Sequence, residues 1–94
     1  MAAASRLGDV CSGHDCFGPR PGATASNNVF INGIPAHRQG DGWQVHCCDV
    51  CHTGTVTGGS STVFINGRPA ARIGDAIDCG SLIAQGSNNV FIGG

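Results

Sequence analysis

Tyrosine is absent, tryptophan occurs once and phenylalanine four times in 94 residues. So few large side chains cannot fill a wide interior, and a chain this short buries only about 60–65% of its unfolded surface. Charge is equally sparse: 5 basic and 6 acidic residues leave a net charge of −1. No basic stripe runs along the chain, which argues against nucleic-acid binding. A surface this poor in charge suits one partly covered by another protein. No apolar run approaches the roughly 20 residues that cross a bilayer. Met1 to Arg6 lacks the basic and apolar regions of a secretory signal, so the expected location is the cytoplasm, where thiols stay reduced. No stretch shows helical periodicity, which leaves strand and loop.

What is abundant is glycine, at 16 residues, alongside 4 prolines, 6 cysteines and 4 histidines. That much glycine raises the chain entropy that folding must overcome. A bound metal or cross-links are the usual devices for holding so small a core. In a reducing compartment the cysteines read as metal ligands or buried thiols before they read as a disulfide framework.

One stretch organises the rest: Thr62-Val63-Phe64-Ile65-Asn66-Gly67-Arg68-Pro69-Ala70-Ala71-Arg72-Ile73-Gly74-Asp75. A β-branched and aromatic run meets Asn-Gly, the pair that accepts positive φ at both centres of a type I′ turn, so a tight hairpin is predicted. Pro69 cannot donate to a ladder, which puts the return strand at an edge or at its first residue. A second copy runs from Asn28 to Asp41. A third first-strand, Asn89-Val90-Phe91-Ile92-Gly93-Gly94, stops where its return strand should begin. The missing half stands at the other end, where Ala2-Ala3-Ala4-Ser5-Arg6-Leu7-Gly8-Asp9 aligns with Arg68 to Asp75. The units are therefore 2–33, 34–67 and 68–94. Pairing of Val90-Phe91-Ile92 with Ala3-Ala4-Ser5-Arg6 would close them into a pseudo-threefold ring and remove two open edges. An open solenoid is the alternative arrangement.

Arg68-Pro69-Ala70-Ala71-Arg72 contains the proline-alanine-alanine-arginine word of the PAAR-repeat proteins, which the chain resembles over residues 2–94. The corresponding words are Pro-Ala-His-Arg at 35–38 and Ala-Ala-Ser-Arg at 3–6. The resemblance implies an all-β fold, small and conical, of three pseudo-threefold hairpin units closed by the terminal strands, with zinc near the tip. Residues 1–94 are expected to form one domain with no extension domain. Arg-x-Gly-Asp recurs at 6–9, 38–41 and 72–75. Glycine supplies a turn there and aspartate bonds nearby backbone, so a scaffold role is expected.

Between the hairpin words lie irregular stretches at 10–27, 42–60 and 76–88, with short strands expected at 53–57 and 81–84. Each Gly-Asp is followed by a soft ligand: His14 five residues after Asp9, His46 five after Asp41, and Cys79 four after Asp75. A threefold axis would let three such loops converge, and a fourth ligand would complete a tetrahedral structural zinc site. His52 is the best placed. PAAR proteins similarly hold zinc with three histidines and one cysteine. The rival is a Cys₄ zinc ribbon from Cys11, Cys16, Cys48 and Cys51. It draws on two units only and leaves the spacing of His14, His46 and Cys79 unexplained. Otherwise Cys11, Cys16, Cys47, Cys48 and Cys51 read as small buried hydrophobes. His37 reads as a packed or surface residue. The C-x-x-C at 48–51 lacks the βαβ context of thioredoxin-like chemistry, and a fully ligated zinc offers no open position, so no enzyme activity is expected.

The resemblance implies a structural cap on the end of a trimeric β-helical spike in a contractile injection machine. That spike would be the valine–glycine-repeat (VgrG-like) trimer of a type VI secretion system or a phage tail spike. The cap sharpens the spike for envelope piercing, with one monomer per trimer and effector proteins as further non-covalent partners. It would be cytoplasmic before firing, leave at the tip of the apparatus, and touch the target membrane only when fired. Its base would bind the spike by β-augmentation through Val29, Ile31, Val63, Ile65, Val90 and Ile92. The alternative is a small zinc-ribbon binding module.

Overall fold

Both Asn-Gly pairs form the predicted turns. In the computed structural model, which describes residues 2–13, 17–48 and 50–93 (His46 through its backbone alone), φ is 56° and 76° at Asn32 and Gly33. It is 55° and 78° at Asn66 and Gly67. These are the paired positive values of a type I′ hairpin. The strands they join are very short: β2 (Phe30–Ile31) with β3 (Ile34–Pro35), and β6 (Phe64–Ile65) with β7 (Arg68–Pro69). Phe30 opposes Pro35 and Phe64 opposes Pro69. Each proline thus ends its return strand at an outer edge, after which the chain leaves to join the next unit.

The third hairpin is made from the two ends of the chain. β1 (Ala2–Ala3) pairs antiparallel with β8 (Phe91–Ile92), Ala2 opposite Ile92 and Ala3 opposite Phe91. The ring is closed. The pairing starts one residue earlier than the sequence suggested and ends at Ala4, whose N–H donates to the Val90 carbonyl at 3.0 Å. Ser5 and Arg6 are already committed to the other units. Ser5 N–H donates to Ala71 C=O, Ala71 N–H to His37 C=O, and His37 N–H to Ser5 C=O, each at 3.0 Å. This closed cycle of three hydrogen bonds circles the pseudo-threefold axis. Around it the bridges Ala4–Arg72, Arg6–Ala36 and Arg38–Ala70 repeat the same cyclic order. The extents of 37 × 23 × 23 Å, one long axis and two equal short ones, fit threefold repetition about the long axis.

Side chains lock the units in the same order. In each Arg-x-Gly-Asp copy the aspartate accepts from the arginine backbone N–H at 2.7–2.8 Å and from its guanidinium at two further points. It reaches back three residues, which the positive φ of Gly8, Gly40 and Gly74 makes possible. The arginine Nη1 then crosses to the next hairpin turn, at Asn32, Asn66 and the Gly93 carbonyl respectively. The scaffold role expected for this word is observed. Donating hydrogen bonds to Asp9, Asp41 and Asp75 raises the pKa of Arg6, Arg38 and Arg72 above the ordinary arginine value.

A second set of locks has no strong sequence signature. Ser26, Ser60 and Ser87 are buried. Each hydroxyl oxygen accepts from the N–H groups two and three residues on. Each hydroxyl then donates at 2.6 Å to the neighbouring turn, at Asn66, the Gly93 carbonyl and Asn32. The Gly93 backbone oxygen thus does the work of the asparagine side chain that the third unit lacks.

The core is layered along the axis. Ala4, Ala36 and Ala70 with Ile31, Ile65 and Ile92 form one cluster beside the hairpins. Cys11, Trp43, Val56, Ala71, Ile77 and Ile83 form the other. His37 lies between them, fully buried.

The irregular stretches differ from expectation in two ways. The expected strands at 53–57 and 81–84 reduce to isolated bridges, Thr55 and Val56 to Gly42 and Ile77, and Leu82 and Ile83 to Ala76 and Cys11. A hairpin not foreseen stands just before the first of them: β4 (His46–Cys48) pairs with β5 (Val50–His52). Its composition gives little strand signal, and Cys47 is covalently bonded to Cys51 directly across the ladder.

Candidate functional site

One end of the axis is formed by the three hairpins. Along each first strand the side chains alternate between inside and outside, as a pleated strand requires. Ile31, Ile65 and Ile92 point inward and are only 7–9% exposed, while Phe30, Phe64 and Phe91 point outward and are 52–56% exposed. Val63 is 38% exposed, and Val29 and Val90 pack partly against the inner cluster. Of the six residues expected at a partner interface, the three isoleucines therefore belong to the core of the free chain. Strand alternation accounts for this, and these phenylalanines, though among the few large side chains that could fill a core, lie outside it. An exposed phenylalanine on each of three equivalent faces is unusual for a chain with only four.

Of the expected ligands, His52 and Cys79 lie away from the three hairpins. The ladder sets His46 opposite His52. The His52 ring, half-buried, stacks on Phe17 with centroids 4.1 Å apart. Cys79 is a free, half-buried thiol packed against the second core cluster. A Cβ placed on Gly54 would lie 3.0 Å from the Cys79 sulfur, which brings that thiol beside the chain two residues after His52. His14 and the His46 side chain fall outside the described structure. Among the described residues no group of three or more His, Cys, Asp or Glu side chains is arranged to hold a metal.

The rival Cys₄ arrangement loses two of its members. Cys51 is bonded to Cys47, and Cys48 is disulfide-bonded as well. Neither offers a thiolate in this state, and Cys16 lies outside the described residues. The reading of Cys47, Cys48 and Cys51 as buried thiols is corrected with it: they are cross-linked, and Cys47 and Cys51 are exposed. Cys11 does behave as a small buried residue, 2% exposed and free, its sulfur accepting from the Arg20 N–H at 3.4 Å.

His37 is a packed residue, as expected. Its Nδ1 lies 3.3 Å from the Ser5 hydroxyl and its ring stands edge-on to Trp43 at 4.7 Å. Nε2 has no hydrogen-bond partner. Burial pushes its pKa below the ordinary histidine value, outweighing the nearby Asp41 carboxylate. An open cleft lined by Arg6, Asp9, Ile73, Ala84, Gln85 and Gly86 completes the surface. Its two charged groups are bonded to each other at 3.0 Å.

Three like faces around one axis, locked by repeated internal hydrogen bonds, define a small all-β cone whose design is structural. The family model of the PAAR motif matches residues 4–85 and again 51–94, and the chain belongs to that family, whose members are spike-tip-type structural proteins of secretion or phage-like systems. No curated protein sequence matches the chain.

Proposed function

We propose that this chain caps a trimeric β-helical spike, VgrG-like or of a phage tail, in a contractile injection machine and sharpens it for envelope piercing. The observation that carries this reading is the base. Three pseudo-equivalent hairpins each present one exposed phenylalanine, at positions 30, 64 and 91, and so offer a single chain to three identical subunits. Val29, Val63 and Val90 border the same faces, and Ile31, Ile65 and Ile92 support them from beneath. The short strands offer edges for β-augmentation by the three spike subunits. Effector proteins would ride on the sides, and the whole would leave the cytoplasm with the spike.

At the opposite end His14, His46, His52 and Cys79 would hold one zinc. The donor set suits the metal, since three imidazoles and a thiolate make a tetrahedral structural site with no place for water. The pairing of His46 with His52 and the closeness of Cys79 to Gly54 support it. When bound, zinc would add a further tie among three loops already joined by backbone hydrogen bonds and a shared apolar cluster.

The test is the mass of the complex formed with a purified spike trimer. One cap per trimer is expected, with little weakening as salt rises, because the interface is apolar. Three caps per trimer, or no complex with any spike trimer, would defeat the reading.

A further inference from the structure

We propose that Cys47 and Cys51 are a reversible thiol–disulfide switch that staples or releases the β4–β5 hairpin according to the thiol redox state around it. The two residues face each other across the ladder, with Cα atoms 4.0 Å apart and their sulfurs bonded. Both are exposed, and a small thiol must reach one of the sulfurs for exchange to occur. The free cysteines contrast with them: Cys11 is 2% exposed and Cys79 half-buried within the core. The exposed Cys47–Cys51 bond is thus more open to a reagent thiol than Cys11 is.

The hairpin is also the part of the fold most dependent on a cross-link. Among the described residues β4 and β5 touch no strand but each other. The arginine–aspartate, serine and backbone cycles that lock the three units all lie outside residues 46–52. Val50 at its turn is 66% exposed and adds nothing to a core. An isolated two-stranded ladder of this length is marginal in water. With the Cys47–Cys51 bond closed the two strands are cross-linked to each other; with it open they are held by their ladder, by the stacking of His52 on Phe17 and by the separate disulfide of Cys48.

The chemistry is ordinary exchange with a low-molecular-weight thiol of the glutathione class. A thiolate of that reagent attacks one hairpin sulfur, the Cys47–Cys51 bond breaks, and the departing sulfur takes up a proton. A second reagent thiol attacks the mixed disulfide and releases the other hairpin thiol. In total the hairpin gains two electrons and two protons, and two reagent thiols are oxidised to one disulfide. The switch does not depend on what the chain caps. If the chain is exported as proposed, the hairpin is open where the protein is made and closes outside.

The test equilibrates the full chain in glutathione buffers of graded ratio and traps free thiols with iodoacetamide. Mass mapping locates the trapped sites, and amide hydrogen exchange is followed in the same samples. Zinc content is measured in each so that loss of metal is not mistaken for opening. Cys47 and Cys51 should become alkylated together while Cys11 stays protected, with Cys48, itself disulfide-bonded, scored separately. Exchange at residues 46–52 should then speed up on the order of tenfold or more, as expected for loss of a short-loop cross-link. Exchange at Ser5, His37 and Ala71 should not change. The Cys47→Ser/Cys51→Ser variant, which keeps the Cys48 disulfide, should match without any reductant the samples in which Cys47 and Cys51 are alkylated and Cys48 is not. Alkylation of either residue before reduction would overturn the proposal, as would a disulfide that yields only on global unfolding. Equal hairpin exchange in oxidised, reduced and doubly substituted protein would overturn it as well.

Discussion

Replacing Gly22 with valine should be severely destabilising on its own and nearly harmless once His37 is shortened to serine. The reason lies in how the threefold repeat breaks. Gly22, Val56 and Ile83 occupy equivalent places, bridged to Trp43, Ile77 and Cys11 in the same cyclic order. Ser5, His37 and Ala71 are likewise equivalent around the axis. One position of that inner ring carries an imidazole where the others carry small side chains, and one position of the outer ring carries glycine where the others are large. A Cβ on Gly22 would lie 2.8 Å from Cε1 of His37 and 3.2 Å from its Nε2, well inside ordinary carbon contact of about 3.5–4.0 Å. Neither side can retreat. Gly22 is tied through its N–H to Asp9 at 3.0 Å and through its C=O to Gly8 at 3.3 Å, and the imidazole is wedged between Ser5 and Trp43. Overpacking of this kind costs about 3 kcal/mol, which for a domain this size lowers Tm by about 15 °C. His37→Ser alone loses roughly 2–4 kcal/mol of packing but removes the unpaired Nε2, worth about 1–3 kcal/mol, for a net loss of about 1–2 kcal/mol. Independent effects would sum to about 4–5 kcal/mol, whereas the double variant should lose no more than about 2 kcal/mol, a coupling near 3 kcal/mol. Urea unfolding of the four proteins at constant zinc measures the cycle. Additivity within about 0.5 kcal/mol would refute the volume exchange between the two rings.

The same histidine sets a pH dependence. Its folded pKa is depressed by burial, so the unfolded chain binds the proton more readily. The stability tied to His37 is complete above its unfolded pKa of about 6.5 and is lost as pH falls from there toward the depressed folded value. Asp41 and Asp9 oppose the depression and Arg38 adds to it. The wild-type minus His37→Ser difference in unfolding free energy between pH 7.5 and 5 isolates this effect from the other imidazoles, and a flat difference would contradict it. Chelation, Cys79→Ser and His46→Ala should each remove one zinc per chain and loosen the loop end, whereas Cys11→Ser should keep it; an X-ray absorption spectrum with four sulfur neighbours would defeat the assignment. Deleting residues 89–94 removes β8, the Ser87 acceptor Asn89 and the Gly93 carbonyl that Ser60 and Arg72 bond. Soluble folded protein should be lost, and a truncated chain melting at the wild-type temperature would contradict ring closure.

Local chemistry written in consecutive residues could be read from the sequence. Asn-Gly demands positive φ at two adjacent positions, so the hairpins at 30–35 and 64–69 followed from two letters each. The split repeat predicted closure because an unpaired first strand and an unpaired last strand each need a partner. The scaffold role of Arg-x-Gly-Asp was legible for the same local reason. What depends on the axis was not. Which side of the first strand faces inward decides whether isoleucine or phenylalanine is offered to a partner, and a run of Val-Phe-Ile is apolar on both sides. The serines at 26, 60 and 87 look like loop polar residues until the neighbouring turn is brought within hydrogen-bond reach. The Cys47–Cys51 bond needed the β4–β5 register, which places those two sulfurs opposite each other. The exchange of volume between His37 and Gly22 joins residues of different units across the axis, and only the folded ring puts an imidazole where a methyl group would otherwise stand.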